Sequence, residues 1–278
     1  MPHMSLVNNR KGFTLVEVMI IAPVVILAIG AFLAVTLTLV GDAILSRTSN
    51  SLAYDTQDAL NRIEQDVKES AGFLAENNFT PTSPQGVNNT TTKFANAGGT
   101  NGEVLILNMI ATNGNPTNSS TRYAFLRNQP RDCSQAQDNT PLSYNIVYFV
   151  DNDGALWRRV IMPAAYANTT TYSCVVPWQQ PSCSPGYSAT FCKTNDVKLL
   201  SNVSEVRFRY YIGTSNTAVN AVAANSSISV TARNNSLAAT TTVQASITAT
   251  QNVGGRNVER SGVLRVSRLD INASSIAP

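Results

Sequence analysis

The chain has 278 residues, of which 13% are charged, 43% hydrophobic and 7% aromatic, and a net charge of +3. That length allows one large domain or two small ones, and that charge demands no polyanionic partner. The single histidine is His3, so the body of the chain offers no Ser-His-Asp or Cys-His nucleophile and no His-ligated zinc site.

Taken in chain order, the first informative stretch is Arg10-Lys11-Gly12-Phe13-Thr14-Leu15-Val16-Glu17, which leads into 23 uncharged residues from Val18 to Val40. As a helix this run spans ~35 Å at ~1.5 Å per residue, enough to cross a hydrocarbon core of ~30 Å. Thr36 and Thr38 are its only polar side chains, and Pro23 should kink or locally loosen it. The basic pair Arg10 and Lys11 precedes the run and acids gather after it, which places the N-terminus in the cytoplasm and the remainder outside. A secretory signal has an apolar core of ~7–15 residues without an acid, so it does not account for this pattern. A plain signal anchor leaves Glu17 unexplained, because a carboxylate at the edge of lipid normally has a partner and none is visible within the helix. A cut between Gly12 and Phe13 would supply one: the new α-amine of one subunit could neutralise Glu17 of its neighbour in a bundle of parallel helices.

With its basic pair, glycine, phenylalanine and acid ahead of a long apolar run, the stretch resembles the class III signal of type IV prepilins and type II secretion pseudopilins. The resemblance implies a leader of residues 1–12, cleaved after Gly12 by a prepilin peptidase, methylation of Phe13, and an assembly salt bridge through Glu17. It implies as partners the peptidase, other pilin subunits through the N-terminal helix, an inner-membrane assembly platform, and the lipid bilayer before assembly. The location it implies is a single-pass inner-membrane protein, N-terminus inside, that passes to an extracellular pilus.

After the transmembrane and assembly helix, residues 13–40, the pattern over 41–72 becomes amphipathic. Leu45, Leu52, Leu60, Ile63 and Val67 recur at helical spacing, with Asp42, Arg47, Asp55, Asp58, Arg62, Glu64, Asp66, Lys68 and Glu69 opposite. One helix is expected from Phe13 to Ala71 with Gly72 as its C-cap. Its end, Ile63-Glu64-Gln65-Asp66-Val67-Lys68-Glu69-Ser70-Ala71-Gly72-Phe73, is similar to the helix end of PilW-like minor pilins and J-type pseudopilins.

Residues 73–278 read as a β-rich extracytoplasmic head. A long Asn/Thr/Gly/Pro-rich loop covers 74–101. Strands are expected at Glu103–Ala111, Arg122–Arg127, Ser143–Val150, Ala155–Met162, Val197–Ile212, Ser227–Ala232, Thr241–Thr250 and Val258–Asp270. Asp151-Asn152-Asp153-Gly154 reads as a hairpin turn rather than a calcium loop, since Ala155 stands where the next ligand is required. The fold class is α+β: the long helix packed on an antiparallel sheet with long loops, the pilin layout that the resemblance implies.

The cysteines Cys133, Cys174, Cys183 and Cys192 show no C-x-x-C spacing, which leaves zinc-ribbon and redox motifs out; no metal or other cofactor is expected. An even number in a polar region suggests one or two disulfides in an oxidising compartment, with at least one from Cys174, Cys183 and Cys192. Residues 71–278 carry 15 bases and 10 acids, hence +5. The arginines Arg158, Arg159, Arg207, Arg209, Arg256, Arg260, Arg265 and Arg268 would suit DNA, but without aromatic interleaving a solvated face is favoured. With no catalytic constellation, the expectation is a non-enzymatic minor pilin that joins or primes a type IV pilus. The alternatives are a type II secretion pseudopilin and a pilus-tip adhesin or DNA-uptake receptor.

Overall fold

The computed structural model describes residues 14–77, 94, 103–111, 143–162, 180–187, 192–219 and 229–269. It has an α+β layout. One helix, α1 (Leu15–Lys68), is followed by strands β1 (Gly72–Leu74), β2 (Leu105–Ile110), β3 (Ser143–Val150) and β4 (Leu156–Ile161). Next come β5 (Ser182–Cys183), β6 (Thr194–Asn195), β7 (Val197–Leu200) and β8 (Val203–Tyr211), then the short helix α2 (Val230–Asn235) and the hairpin β9 (Thr242–Val253) with β10 (Arg256–Ser267). The expected strand at 122–127 lies outside the described residues. The chain divides into two compact units between Thr48 and Ser49, inside α1.

The first unit contributes the apolar half of α1. Its large side chains face outward: Leu15, Ile26, Phe32 and Leu37 are each more than two-thirds exposed. Thr36 and Thr38 donate their hydroxyls to the carbonyls of Phe32 and Ala34, 2.8 and 2.9 Å away, so neither presents a free donor to its surroundings. Pro23 removes the N–H that would bond the Met19 carbonyl, yet α1 runs through it without interruption.

In the second unit the buried residues of α1 are Ser49, Leu52, Thr56, Ala59, Leu60, Ile63, Asp66 and Val67, a stripe at steps of three and four that identifies one covered face. Leu45, expected in this stripe, is only half-buried. The single antiparallel sheet expected from the sequence is instead two sheets and a parallel pair. One is a five-stranded meander, β1-β2-β3-β4-β7, another is the three-stranded β10-β9-β8, and β5 pairs with β6 in parallel. One core joins the α1 stripe to Leu105, Leu107, Tyr144, Ile146, Tyr148 and Leu156 of the meander and to Val206, Phe208, Val243, Ala245 and Ile247 of the three-stranded sheet. The meander's other face is also covered, by a cluster of Phe94, Ile106, Val147, Phe149, Trp157 and Ile161. This double covering explains why β3 and β4 are buried almost throughout instead of alternating.

Four boundaries differ from the sequence expectation for identifiable reasons. Helix α1 stops at Lys68 rather than Ala71, because Ser70 donates its hydroxyl to the Val67 carbonyl at 2.8 Å and the Ala71 N–H bonds Asn108 in β2. Gly72 is therefore the first strand residue, paired with Asn108, and not a helix cap. The stretch 197–212 is two strands in different sheets, separated at Asn202, whose φ of 59° ends β7. Where a strand is expected at Ser227–Ala232, of which 227 and 228 lie outside the described residues, Val230–Asn235 form α2, whose start is capped by Ser229 Oγ accepting the Ala232 N–H at 3.3 Å. The last two strands reach each other through Gly254 and Gly255, both at positive φ (58° and 83°), the geometry of a tight primed hairpin turn.

Gly262 marks the closest approach of β10 to α1. A Cβ there would lie 2.6 Å from Leu60 Cδ1 and 2.9 Å from Thr56 Cγ2, and both neighbours are buried. Gly262→Ala should cost about 1–3 kcal/mol, the range for an extra methyl in a packed core, measured by chemical denaturation of the detergent-solubilised chain. An unchanged midpoint would mean that helix and strand separate freely at this point.

Candidate functional site

At the start of α1, Thr14 and Glu17 satisfy each other. The Thr14 N–H and hydroxyl both reach Glu17 Oε2 at 2.9 Å, and the Glu17 N–H reaches Thr14 Oγ1 at 3.3 Å. This is a capping box: a hydroxyl side chain and an acid three residues later exchange bonds with each other's backbone N–H. A carboxylate with no visible partner in the sequence thus has one within its own helix, and the signal Thr-x-x-Glu was legible there. Among the described residues Glu17 Oε1 takes no hydrogen bond, so the carboxylate keeps acceptor capacity beyond the cap. Behind it, α1 is long and apolar enough to cross a membrane. Arg10, Lys11, Gly12 and Phe13 lie outside the described residues.

A second cluster sits deep in the head. Asp66, expected on the exposed face of α1 because it is charged, is buried, and so is Arg158. Arg158 Nε donates to Asp66 Oδ2 at 2.5 Å and Nη2 to Oδ1 at 3.3 Å. Tyr148 donates its hydroxyl to the same Oδ2 at 2.5 Å, and Arg62 stands 3.8 Å from Oδ1. Tyr148 and Arg158 are direct cross-strand partners of β3 and β4, which is why both reach one carboxylate. Burial first, and then the Asp66 charge, push the Tyr148 phenol well above the usual tyrosine range; Tyr144 is pushed up for the same reasons. Burial opposes the charge on Arg158 most strongly, but the Asp66 carboxylate together with the Tyr148 and Tyr144 phenols outweighs it, so the guanidinium is raised further.

Of the remaining arginines only Arg159 joins Arg158 in being buried; Arg207, Arg256, Arg260 and Arg265 are exposed and Arg209 and Arg268 half-buried. Arg159 is buried against Asp196. Arg207 pairs with Glu205, Arg260 bonds Ser49, and Arg268 bonds the Ala71 carbonyl. Arg265 bonds the Ser215 carbonyl and stacks 4.2 Å from the centre of the Tyr211 ring. The alternation expected in 206–211 holds for Val206, Phe208 and Tyr210 on the buried side and Arg207 on the wet side.

The Asp151–Gly154 turn is structural. Asp151 Oδ1 accepts the Asp153 and Ala155 N–H groups at 3.0 and 2.8 Å, and Oδ2 accepts Trp157 Nε1–H at 2.6 Å. Among the described residues, no group of three His, Cys, Asp or Glu side chains converges on a point that could hold a metal. A shallow groove of about 350 Å³ lies beside Leu52, Asp55 and residues 198–202, with Lys198 as its basic group. Cys183 and Cys192 form a disulfide; Cys133 and Cys174 lie outside the described residues.

No family model, no curated protein and no solved structure matches the chain.

Removing Asp66 would strand a buried guanidinium. Asp66→Ala should therefore cost about 3–5 kcal/mol of stability, whereas Asp58→Ala on the exposed side of α1 should fall within about 0.5 kcal/mol of the parent, both by chemical denaturation. The raised tyrosines predict an alkaline limit. A phenol that holds its proton more tightly folded than unfolded contributes fully below roughly pH 10, the ordinary tyrosine value, and that contribution is lost as pH rises above it. Between pH 9 and 11 the parent should lose more stability than Tyr148→Phe, and equal losses would show that Tyr148 is not a source of the limit.

Proposed function

We propose that the chain is a non-enzymatic subunit of a type IV pilus-like filament. It enters the membrane through α1 with its N-terminus on the cytoplasmic side, is cut after Gly12 by a prepilin peptidase, and is methylated on Phe13. The observation that carries this reading is the division of labour within α1. About 25 residues expose apolar side chains on every side behind a single acid at Glu17, while the following stretch buries one face in an α+β unit. An apolar helix of this kind has two stable surroundings, lipid and other helices like itself. A filament subunit uses both in turn: lipid before assembly and neighbouring subunits afterwards.

In this reading Glu17 and the Phe13 amine of an adjacent subunit fix the axial register of the helices, through the acceptor capacity that the capping box leaves on Oε1. The head supplies the outward surface, and the long loops expected there from the sequence suit a low-copy subunit that joins or primes the filament. The assembly platform and other pilins are the partners; a secretion pseudofilament would use the same N-terminal chemistry.

Two measurements test the proposal. In a host with a prepilin peptidase, N-terminal sequencing and intact mass should find a chain that begins at methylated Phe13; a mature chain that keeps residues 1–12 would overturn the assignment. Glu17→Gln should still be inserted and cleaved but enter sheared filaments at least tenfold less, by quantitative mass spectrometry. Equal incorporation of the two would remove Glu17 from the assembly contact.

A further inference from the structure

Arg159 is one of the largest fully buried side chains of the head, and its guanidinium sits where the disulfide closes. Arg159 Nε and Nη2 donate to Asp196 Oδ2 at 2.9 and 2.5 Å, and Nη2 also donates to Ser184 Oγ at 2.7 Å. Asp196 Oδ1 in turn accepts the Ser182 hydroxyl at 2.8 Å, and Ser182 Oγ accepts the Val160 N–H of β4 at 2.9 Å. The rings of Phe94 and Phe149 lie 5.5 and 5.3 Å from the guanidinium carbon and shut out water on that side.

The carboxylate and both hydroxyls come from the segments that the disulfide joins. Ser182 and Ser184 flank Cys183, and Asp196 follows Cys192 by four residues. Among the described residues their backbones meet over a short stretch. Their parallel pairing is two residues long, and a few backbone bonds, such as Asp196 N–H to the Cys183 carbonyl at 2.8 Å, complete it. A two-residue parallel pair does not offset the chain entropy of closing a loop, whereas a covalent Sγ–Sγ bond removes that cost from the folding step. A buried cation, for its part, is tolerated only while its counter-charge stays in place.

We propose that closure of Cys183–Cys192 licenses the burial of Arg159, so that this corner of the head folds in an oxidising compartment and opens when the bond is reduced. The device does not depend on the filament reading. Closure is ordinary thiol–disulfide exchange: the thiolate of one cysteine attacks a disulfide oxidant, one sulfur of the oxidant leaves as a thiol, and a mixed disulfide forms. The thiolate of the other cysteine then displaces the oxidant's second sulfur. The Sγ–Sγ bond forms, two electrons have passed to the oxidant, and the two cysteine protons end on its dithiol. A dithiol such as dithiothreitol reverses each step. Reduction frees residues 182–184 from 193–196, Asp196 leaves the guanidinium, and Arg159 moves into water with the end of β4.

The test uses the full chain in detergent. Oxidised protein, and protein reduced with dithiothreitol and alkylated without denaturant, are digested with an arginine-specific protease and the cuts are timed by mass spectrometry. Cleavage after Arg158 and Arg159 should accelerate at least tenfold on reduction, while cleavage after Arg207 and Arg256 in the three-stranded sheet changes less than twofold. Protection of Arg159 in the reduced chain would overturn the proposal, as would equal acceleration at all four sites. Arg159→Met supplies a second measurement, since it keeps the bulk and removes the charge that needs Asp196. Reduction should lower the thermal midpoint of Arg159→Met by less than half the shift in the parent, and equal shifts would show that disulfide and arginine act independently. If Arg159→Met does not fold, the digestion of the parent chain decides.

Discussion

The head depends on a carboxylate and a guanidinium that have both left water. Neither Asp66 nor Arg158 is stable in a core alone, and together they are acceptable only at contact distance with their remaining bonds filled. Tyr148 fills one of them. Because Tyr148 and Arg158 stand directly opposite each other in the β3–β4 ladder, the pair fixes two things at once: the rotation of α1 about its axis and the register of the central strands. A shift of one residue in β4 would carry Arg158 to the opposite face of the meander, away from its only buried carboxylate on α1. That opposite face already holds Arg159, with its own aspartate, Asp196. Two neighbouring arginines on one strand, each matched to an acid on a different side of the sheet, make any slipped pairing pay twice in uncompensated charge.

This arrangement also shows where sequence reading succeeds and where it stops. Apolar spacing located α1 and its covered stripe at Leu52, Leu60, Ile63 and Val67, since the core rewards that period directly. The Asp-Gly turn located the β3–β4 hairpin for the same kind of reason, its chemistry being local. Asp66, Arg158 and Arg159 were misplaced on the surface because a charged residue is normally there. Their burial follows from partners 92 and 37 residues away in the chain, which no local pattern encodes. The split of 197–212 had a similar cause: both halves look like strand, and only the left-handed Asn202 between them sends the second half to another sheet. In 229–235, Ser229 was read as a strand residue in a run of Ile, Ser, Val and Thr, although its better role is to cap the helix that follows.

At the N-terminal end the reasoning runs the other way. The puzzle of an acid at the head of an apolar run is legible in the sequence, and so is its local solution, Thr14 three residues earlier. The capping box makes Glu17 less costly for an isolated helix than its charge suggests, because two donors already face one of its oxygens. It does not neutralise the charge. A hydroxyl and an amide leave a net −1 at the edge of a segment that is otherwise uncharged for 23 residues, and in a medium of low dielectric an opposite charge stabilises that carboxylate more than neutral donors can. The cap therefore makes insertion of a single chain tolerable and still leaves a preference for a cationic neighbour. An acid that was fully paired within its own chain would have no such preference, and an uncapped one would resist insertion. The geometry at Thr14 and Glu17 lies between these: Oε2 is held by two donors of its own helix, while Oε1 keeps its acceptor capacity.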